Sequence, residues 1–387
     1  MAIPLAYNLR NLVVRKTTTL MTALGIALTV AVLLAILALV NGLRTTLSTS
    51  GDPLHVLVLR KGATSEVVSN FAREQFQDLK FKAGIAKGRD GQPLASLEMI
   101  TVVNLVNVDN PNGVNVTVRG LQPAGMEMRR NVRLASGRWF EFGHKELVVG
   151  KSVASRFPGA GLGKKIHLGR SDWQVVGIMD AGRGAQDSEI WADLNQASAD
   201  YNRVEVLSSA LVQATDEVTA KALVNDINND QRLSMSSMSE KEYYDLQTAS
   251  GAPIEFTGIF VALIMAVGSS FAAMNTMYAA VARRAREIGT LRVLGFSRAS
   301  ILFSFFLESV FLSALGGLLG CLLVLPLNGL TTGVGNANFA ELAFDFHLTP
   351  RILLMGIAFA IALGSIGGLF PARMASRKEI LTALREV

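Results

Sequence analysis

The sequence predicts an α-helical membrane protein with four transmembrane helices and a large mixed α+β extracytoplasmic domain inserted between helices 1 and 2. Three observations predict it. First, four windows are long, apolar and nearly free of charge: Thr17–Leu43, Phe256–Ala282, Ala299–Leu325 (with Glu308 alone) and Ile352–Ala372. A helix needs roughly 20 apolar residues to cross the hydrocarbon core. Second, basic residues gather in alternate connections. Third, residues 42–255 read as short strands and helices separated by glycine-containing turns.

Composition agrees. Half of the 387 residues are hydrophobic and only 18% are charged, against roughly 25% in soluble domains. Disorder is excluded for most of the chain. Cys321 is the lone cysteine, which excludes a disulfide framework. His55, His144, His167 and His347 lie far apart with no metal-ligand spacing.

In chain order, residues 1–16 read as a cytoplasmic amphipathic helix, with Ile3, Leu5, Leu9, Leu12 and Val13 set against Arg10, Arg15 and Lys16. Residues 17–41 are transmembrane helix 1. The apolar run exceeds the roughly 7–15 residues of a signal-peptide core, so it reads as an uncleaved anchor. Residues 42–255 form the extracytoplasmic core domain, and 256–282 transmembrane helix 2. Residues 283–298 are a cytoplasmic helix and loop, and 299–325 transmembrane helix 3. A short extracytoplasmic loop follows at 326–351, then transmembrane helix 4 at 352–372 and a cytoplasmic tail at 373–387.

Charge sets the orientation. The segments before helix 1, between helices 2 and 3, and after helix 4 hold twelve basic residues and three acids, whereas 326–351 holds Arg351 against Glu341 and Asp345. The positive-inside bias places both termini and the 283–298 loop in the cytoplasm. The domain at 42–255 carries 24 basic and 25 acidic residues, and long domains translocate regardless of charge.

Within that domain, His55–Arg60 reads as a strand, Ser65–Phe76 as a helix, Met99–Val108 and the alternating Val114–Arg119 as strands, and Leu147–Phe157 as a short helix. Lys165–Leu168 and Trp173–Ile178 read as a hairpin, and Glu217–Asn228 as a helix. Leu43 and Leu47 continue helix 1 outward, and Ser239–Thr248 leads toward helix 2, with Gly251 and Gly258 as bend points. Catalytic chemistry is not in evidence. Gly150-Lys151-Ser152 resembles the end of a phosphate loop, but position 145 is Lys145 where a glycine is required, so a turn and helix start is the reading. Asp180, Asp187, Glu189 and Asp193 flank Gly182-Arg183-Gly184 and read as a solvated loop. Asn115-Val116-Thr117 fits a glycosylation sequon.

The membrane windows lack pore chemistry. Glu308 lies ten residues beyond Arg298, about 15 Å along a helix. It is read either as a packing or coupling residue that finds a donor in a partner helix or chain, or as a carboxylate near a hydrated region. Gly316, Gly317 and Gly320 permit close helix contact, as do Gly364, Gly367 and Gly368, and suggest a compact bundle and an oligomer. In the 283–298 segment, Ile288, Leu291 and Leu294 recur every three residues as an apolar edge among Arg283, Arg284, Arg286, Glu287 and Arg292, and Gly295 ends the turn. Such a helix lies on the membrane or docks into a partner's groove.

These residues resemble the FtsX/MacB-like permease superfamily of bacterial ABC transporters. The signature is Arg283-Arg284-Ala285-Arg286-Glu287-Ile288-Gly289 followed by Leu291-Arg292-Val293-Leu294-Gly295-Phe296. It continues through Leu307-Glu308, the glycines at 316, 317 and 320, and Phe370-Pro371-Ala372-Arg373. Arg377-Lys378-Glu379-Ile380 stands where the family usually carries Asp-Pro. Gly137-Arg138-Trp139-Phe140, Glu146–Gly150 and Gln174–Ile178 are similar to a MacB-type periplasmic core domain.

The resemblance implies a non-catalytic permease acting by mechanotransmission. Arg284, Glu287, Ile288, Leu291, Leu294 and Gly295 would couple to an ATPase; Glu308, Gly316, Gly317 and Gly320 would serve membrane coupling or packing. This chain has no GxxxxGK[ST], so a separate cytoplasmic ABC ATPase is expected to bind ATP and Mg, with no cofactor on this chain. Other expected partners are a second permease copy (a homodimer rather than a heterodimer), membrane lipids, and a periplasmic membrane-fusion adaptor with an outer-membrane channel; nucleic acid is not among them. The expected work is export or extraction of a cell-envelope or hydrophobic substrate. The alternatives are a non-transport regulator of cell-wall hydrolases driven by a partner ATPase, and a membrane receptor with no ATPase.

Overall fold

In a computed structural model, the structure describes residues 14, 16–107, 110–249, 252–334 and 340–377. The expected N-terminal amphipathic helix, the bend at Gly251 and the end of the tail fall outside them or nearly so. In chain order the elements are α1 (Lys16–Ser48), β1 (His55–Arg60), β2 (Phe71–Ala72), α2 (Arg73–Leu79), β3 (Ala95–Asn107), β4 (Asn110–Leu121), α3 (Pro123–Met128), β5 (Arg133–Gly137) and β6 (Glu146–Gly150). Then come α4 (Lys151–Arg156), β7 (Lys165–Leu168), β8 (Ser171–Asp180), β9 (Glu189–Asp193), α5 (Leu194–Asp200), β10 (Val206–Leu207), β11 (Ser209–Gln213), α6 (Glu217–Asn229) and β12 (Met235–Ser239). The remainder is α7 (Glu240–Ala249), α8 (Ala252–Arg283), α9 (Ala285–Val293), α10 (Arg298–Val324), β13 (Thr331–Val334), β14 (Leu342–Asp345) and α11 (Pro350–Arg377).

The chain forms two compact units: a helical one within Met1–Gly42, Gly251–Leu330 and Phe346–Val387, and a mixed one of Leu43–Ser250 and Thr331–Asp345. Among the described residues, four helices are long and apolar enough to cross a membrane, one each at α1, α8, α10 and α11. In the helical unit α10 and α11 pack most extensively, in antiparallel register. Gly368 faces Ser309, Gly364 faces Ser313, and Gly317 faces Ala360, so each step of four along one helix matches four back along the other. A Cβ on Gly317 would sit 2.8 Å from that of Ala360. The seam needs residues without side chains on one partner, which small-residue spacing supplies.

The mixed unit is built on a ten-stranded sheet in the order β12-β1-β11-β3-β4-β9-β6-β8-β5, with β7 also paired to β8. β4 with β9 and β6 with β8 are parallel; the other pairs are antiparallel. Period-two alternation feeds two cores. Leu147 and Val149 face one side with Ile190 and Val118; Val148 faces the other with Trp191, Met179 and Leu121. With both faces covered, β9 is buried at every position, as expected of a strand read as continuous rather than alternating.

Several local expectations are corrected. Within Ser65–Phe76 only the end is helical, because Phe71–Ala72 pairs with β10 and α2 starts at Arg73. Leu147–Phe157 divides into β6 and α4, with Gly150 as the extended N-cap residue between them. The acidic stretch expected to be a solvated loop is largely buried: Asp187, Glu189 and Asp193 are each at most 6% exposed. Each has donors. Asp187 accepts from the amides of Ala181 and Arg183, and Asp193 from those of Gly143 and Asn195. The loop at 326–351 contains a hairpin, β13 with β14, that belongs to the mixed unit. It is fixed there by an Arg156–Glu341 ion pair, and Ser188 Oγ bonds both the amide and the carbonyl of Ala343.

Candidate coupling surface

α8 ends at Arg283, and Arg284 breaks the helix with φ −102° and ψ 17° before α9 begins. α9 ends in a Schellman motif. Gly295 adopts φ +92°, its amide bonds Arg292 O at 3.1 Å, and the Phe296 amide bonds Leu291 O at 3.1 Å. A residue with a Cβ is strained at that φ, which is why glycine stands there. Ser297 then caps α10, its Oγ accepting from the Ser300 amide at 3.1 Å.

The expected apolar edge does not form one stripe. Ile288 is 1% exposed and packs with Met277, Val281, Ile301, Phe305 and Ala372. Leu291 is half-buried, and Leu294 is 64% exposed. A helix turns about 100° per residue, so positions six apart lie about 120° apart around the axis. Glu287, Arg286, Arg283 and Thr290 are exposed around Val293 and Leu294. The surface open to a partner is therefore the outer side of α9 and its C-terminal turn.

Arg284, expected on that surface, is buried in the helical unit. Its Nη1 donates to Glu308 Oε2 at 2.7 Å, and its guanidinium lies 5.7 Å from the Phe305 ring centre. The two residues therefore form one buried ion pair, and Glu308 finds its donor within the same chain. Gly316 and Gly320 accept α1 against α10: a Cβ on either would approach Ala23 O or Ala27 O to within 2.9 or 2.8 Å. These glycines are used in contacts inside the chain, so they do not themselves argue for a second copy.

Sequence reasoning missed a second charged cluster, in the mixed unit. Arg119 on β4 donates to Glu189 at 2.7 and 2.9 Å, to Glu66 at 2.9 and 3.0 Å, and to Glu98 at 2.7 Å. Arg129 adds two bonds to Glu98 at 2.7 and 2.9 Å. Burial opposes the charge of Glu189, but the Arg119 charge and hydrogen bonds prevail and hold its carboxyl below the usual range. Arg119 terminates the alternating Val114–Arg119 segment on its polar face. At Arg119 that face is buried because β4 is central, and alternation alone assigns it to solvent.

The residues fit a known family. The family model of the MacB-like periplasmic core domain matches residues 19–230, and that of the FtsX-like permease C-terminal region matches 259–380. The macrolide export ATP-binding/permease protein MacB of Bdellovibrio bacteriovorus is 25% identical over 97% of this chain and 60% of its own length. MacB of Pasteurella multocida is 27% identical over 70% of this chain and 43% of its own length. The uncharacterized ABC transporter permease YknZ of Bacillus subtilis is 23% identical over 70% of both chains. The chain thus spans about half the length of the MacB relatives it matches. With one model covering more than half of its residues and the other most of the rest, the chain belongs to the MacB/FtsX-like family of ABC transporter permeases.

Proposed function

We propose that the chain is the mechanotransmission subunit of an ABC transporter. A separate cytoplasmic ATPase, holding ATP and Mg, would dock on α9, and its cycle would move the extracytoplasmic mixed unit to export or extract a cell-envelope or hydrophobic substrate. The relatives whose names join ATP binding to a permease support the ATPase. In this reading both termini and α9 are cytoplasmic, and two permease copies serve two ATPases, closed twofold symmetry being the common arrangement.

The observation that carries the reading is the division of labour on α9. Leu294 and Glu287 face outward, while Ile288 sits in the helical core beside the Arg284–Glu308 pair. A push on the outer side is thereby passed to α8 and α10 through packed side chains rather than through a loose loop.

The test is ATPase pull-down and transport-coupled hydrolysis with Leu294→Asp, Leu291→Asp and, as a control on another exposed apolar residue, Val218→Asp. Val218 is 80% exposed on α6. Leu294→Asp should weaken docking about a hundredfold, near 2.7 kcal/mol, with an unchanged melting temperature. Normal docking and coupled turnover in both leucine variants would end the reading, leaving α9 as a helix that rests on lipid.

A further inference from the structure

We propose that the turn Ala185–Ser188 is a hub that locks together the three stretches by which the mixed unit is joined to the helical unit. The chain passes between the units at Gly42–Leu43, Ser250–Gly251, Leu330–Thr331 and Asp345–Phe346. On the mixed side, the stretches at these crossings are the end of α1 with its linker to β1, the helix α7, and the β13–β14 hairpin. They are far apart in sequence, yet each is bonded to the turn or to a stretch that is.

Ser50, in the linker, sits on the turn. Its hydroxyl donates to Thr46 O at 2.6 Å and accepts from the Ala185 amide at 2.6 Å, and Gln186 Nε2 donates to Ser50 O at 3.4 Å. α7 is held through the same linker. Glu240 Oε2 accepts from the Asp52 amide at 3.1 Å and lies 2.8 Å from His55 Nδ1. Here the backbones nearly touch: a Cβ on Gly51 would stand 2.7 Å from Lys241 Cα. The hairpin meets the other end of the turn. Ser188 Oγ accepts from the Ala343 amide at 2.9 Å and donates to Ala343 O at 3.3 Å. All four residues of the turn are buried, as are Ser50, His55 and Glu240.

The turn is also held from behind. The Asp187 carboxylate accepts from the amides of Ala181 and Arg183 at 2.7 and 3.0 Å. Gly150 presses on its backbone, where a Cβ would stand 2.1 Å from Asp187 O. A buried amide stripped of its partner is costly, so these bonds are lost only when their surroundings open. Bonds that share one short turn open together, as a cooperative unit within the fold. The three stretches therefore move as one body, and a displacement of one is imposed on the others. That this serves mechanotransmission rests on the permease reading above; the hub itself does not.

The experiment is hydrogen exchange on the full chain in lipid nanodiscs without ATPase, so its failure leaves the permease reading standing. Fragmentation mass spectrometry reads the amides of Asp52, Ala185 and Ala343, each bonded to a side chain of another segment. In Gly150→Ala the backbone is unstrained, since Gly150 has φ −66°, and the added methyl acts by displacing the turn. Exchange at all three amides should rise together by about tenfold or more, while Leu211 and Val212 in the centre of the sheet stay protected. Ser188→Ala removes the side-chain acceptor of the Ala343 amide alone, and should raise exchange at Asp52 and Ala185 as well. Gly159→Ala, where a Cβ meets nothing within 4 Å, should change none of them. Three results would overturn the proposal: a rise confined to Ala343 in Ser188→Ala, a rise at only one or two of the amides in Gly150→Ala, or an equal rise at Leu211 and Val212.

Discussion

Arg284 Nη1 and Glu308 Oε2 stand 2.7 Å apart, and both side chains are buried. The pair joins the start of α9 to the third turn of α10, so neither residue can change alone. Arg284→Ala or Glu308→Ala should destabilise the protein by about 3–5 kcal/mol, because each leaves a buried charge without its partner. The double variant Arg284→Met/Glu308→Leu should recover most of that loss. Thermal melting of the detergent-solubilised protein measures both, and a double variant no better than the singles would show that the pair does more than neutralise itself.

The glycine seam makes a contrast within one kind of residue. Gly317→Val forces a branched side chain against Ala360 and should cost about 1–3 kcal/mol. Gly268, in α8, has nothing within 4 Å of a built Cβ. Gly268→Ala should therefore be neutral or stabilising by up to about 1 kcal/mol through helix propensity. Melting temperatures that fall equally in both would remove the seam as the reason for Gly317.

Asp200 gives the mixed unit an acid-side dependence. Burial works against its charge, but bonds from Lys145, Trp173 and Ser171 outweigh it and hold the carboxyl below the usual range. A carboxyl lowered in the folded state stabilises fully above the unfolded value, about 3.9. That contribution is lost as pH falls through the folded value. Asp200→Asn should lower stability at pH 7 by about 1–3 kcal/mol and flatten the decline of melting temperature below about pH 4. Circular dichroism melts from pH 7 to pH 3 would show this, and parallel curves for the two proteins would refute it.

Orientation is checked by labelling single cysteines in a Cys321→Ser background. Val218→Cys should react with an impermeant reagent added outside spheroplasts, and Ser297→Cys only after permeabilisation; both positions are exposed. The reverse pattern would invert the proposed topology.

What the sequence revealed, and what it hid, follows from the range of the interactions. The four apolar helices were legible because twenty apolar residues in a row have few other uses. Gly295 was legible as a stop because the αL conformation favours glycine locally. The sequence offers Arg284 and Glu308 in different roles, since their bond depends on how α8 and α10 cross. A spacing of three groups Ile288 with Leu294, because it resembles a face over one step and departs from it over two. In the sequence Arg119 is the polar end of an alternating strand. Only the neighbours β3 and β9, with Glu98 and Glu189, make that side an interior. The burial of Asp187 and Asp193 was hidden for a similar reason: their donors are amides, which no side-chain pattern displays.

The β13–β14 hairpin has a consequence for biogenesis. The mixed unit takes Thr331–Asp345 from a point 81 residues after its last preceding residue, Ser250. A ribosome that has finished α8 and α10 has therefore still not delivered Glu341 to Arg156, or Ala343 to Ser188. The nascent unit must wait in an unfinished state while two further membrane-length helices are made, with those sites open to solvent or to a chaperone. A chain released early, after α10, would carry the ten-stranded sheet without this closing piece. Quality control that inspects the mixed unit would then be inspecting whether synthesis has passed α8 and α10 and reached β14.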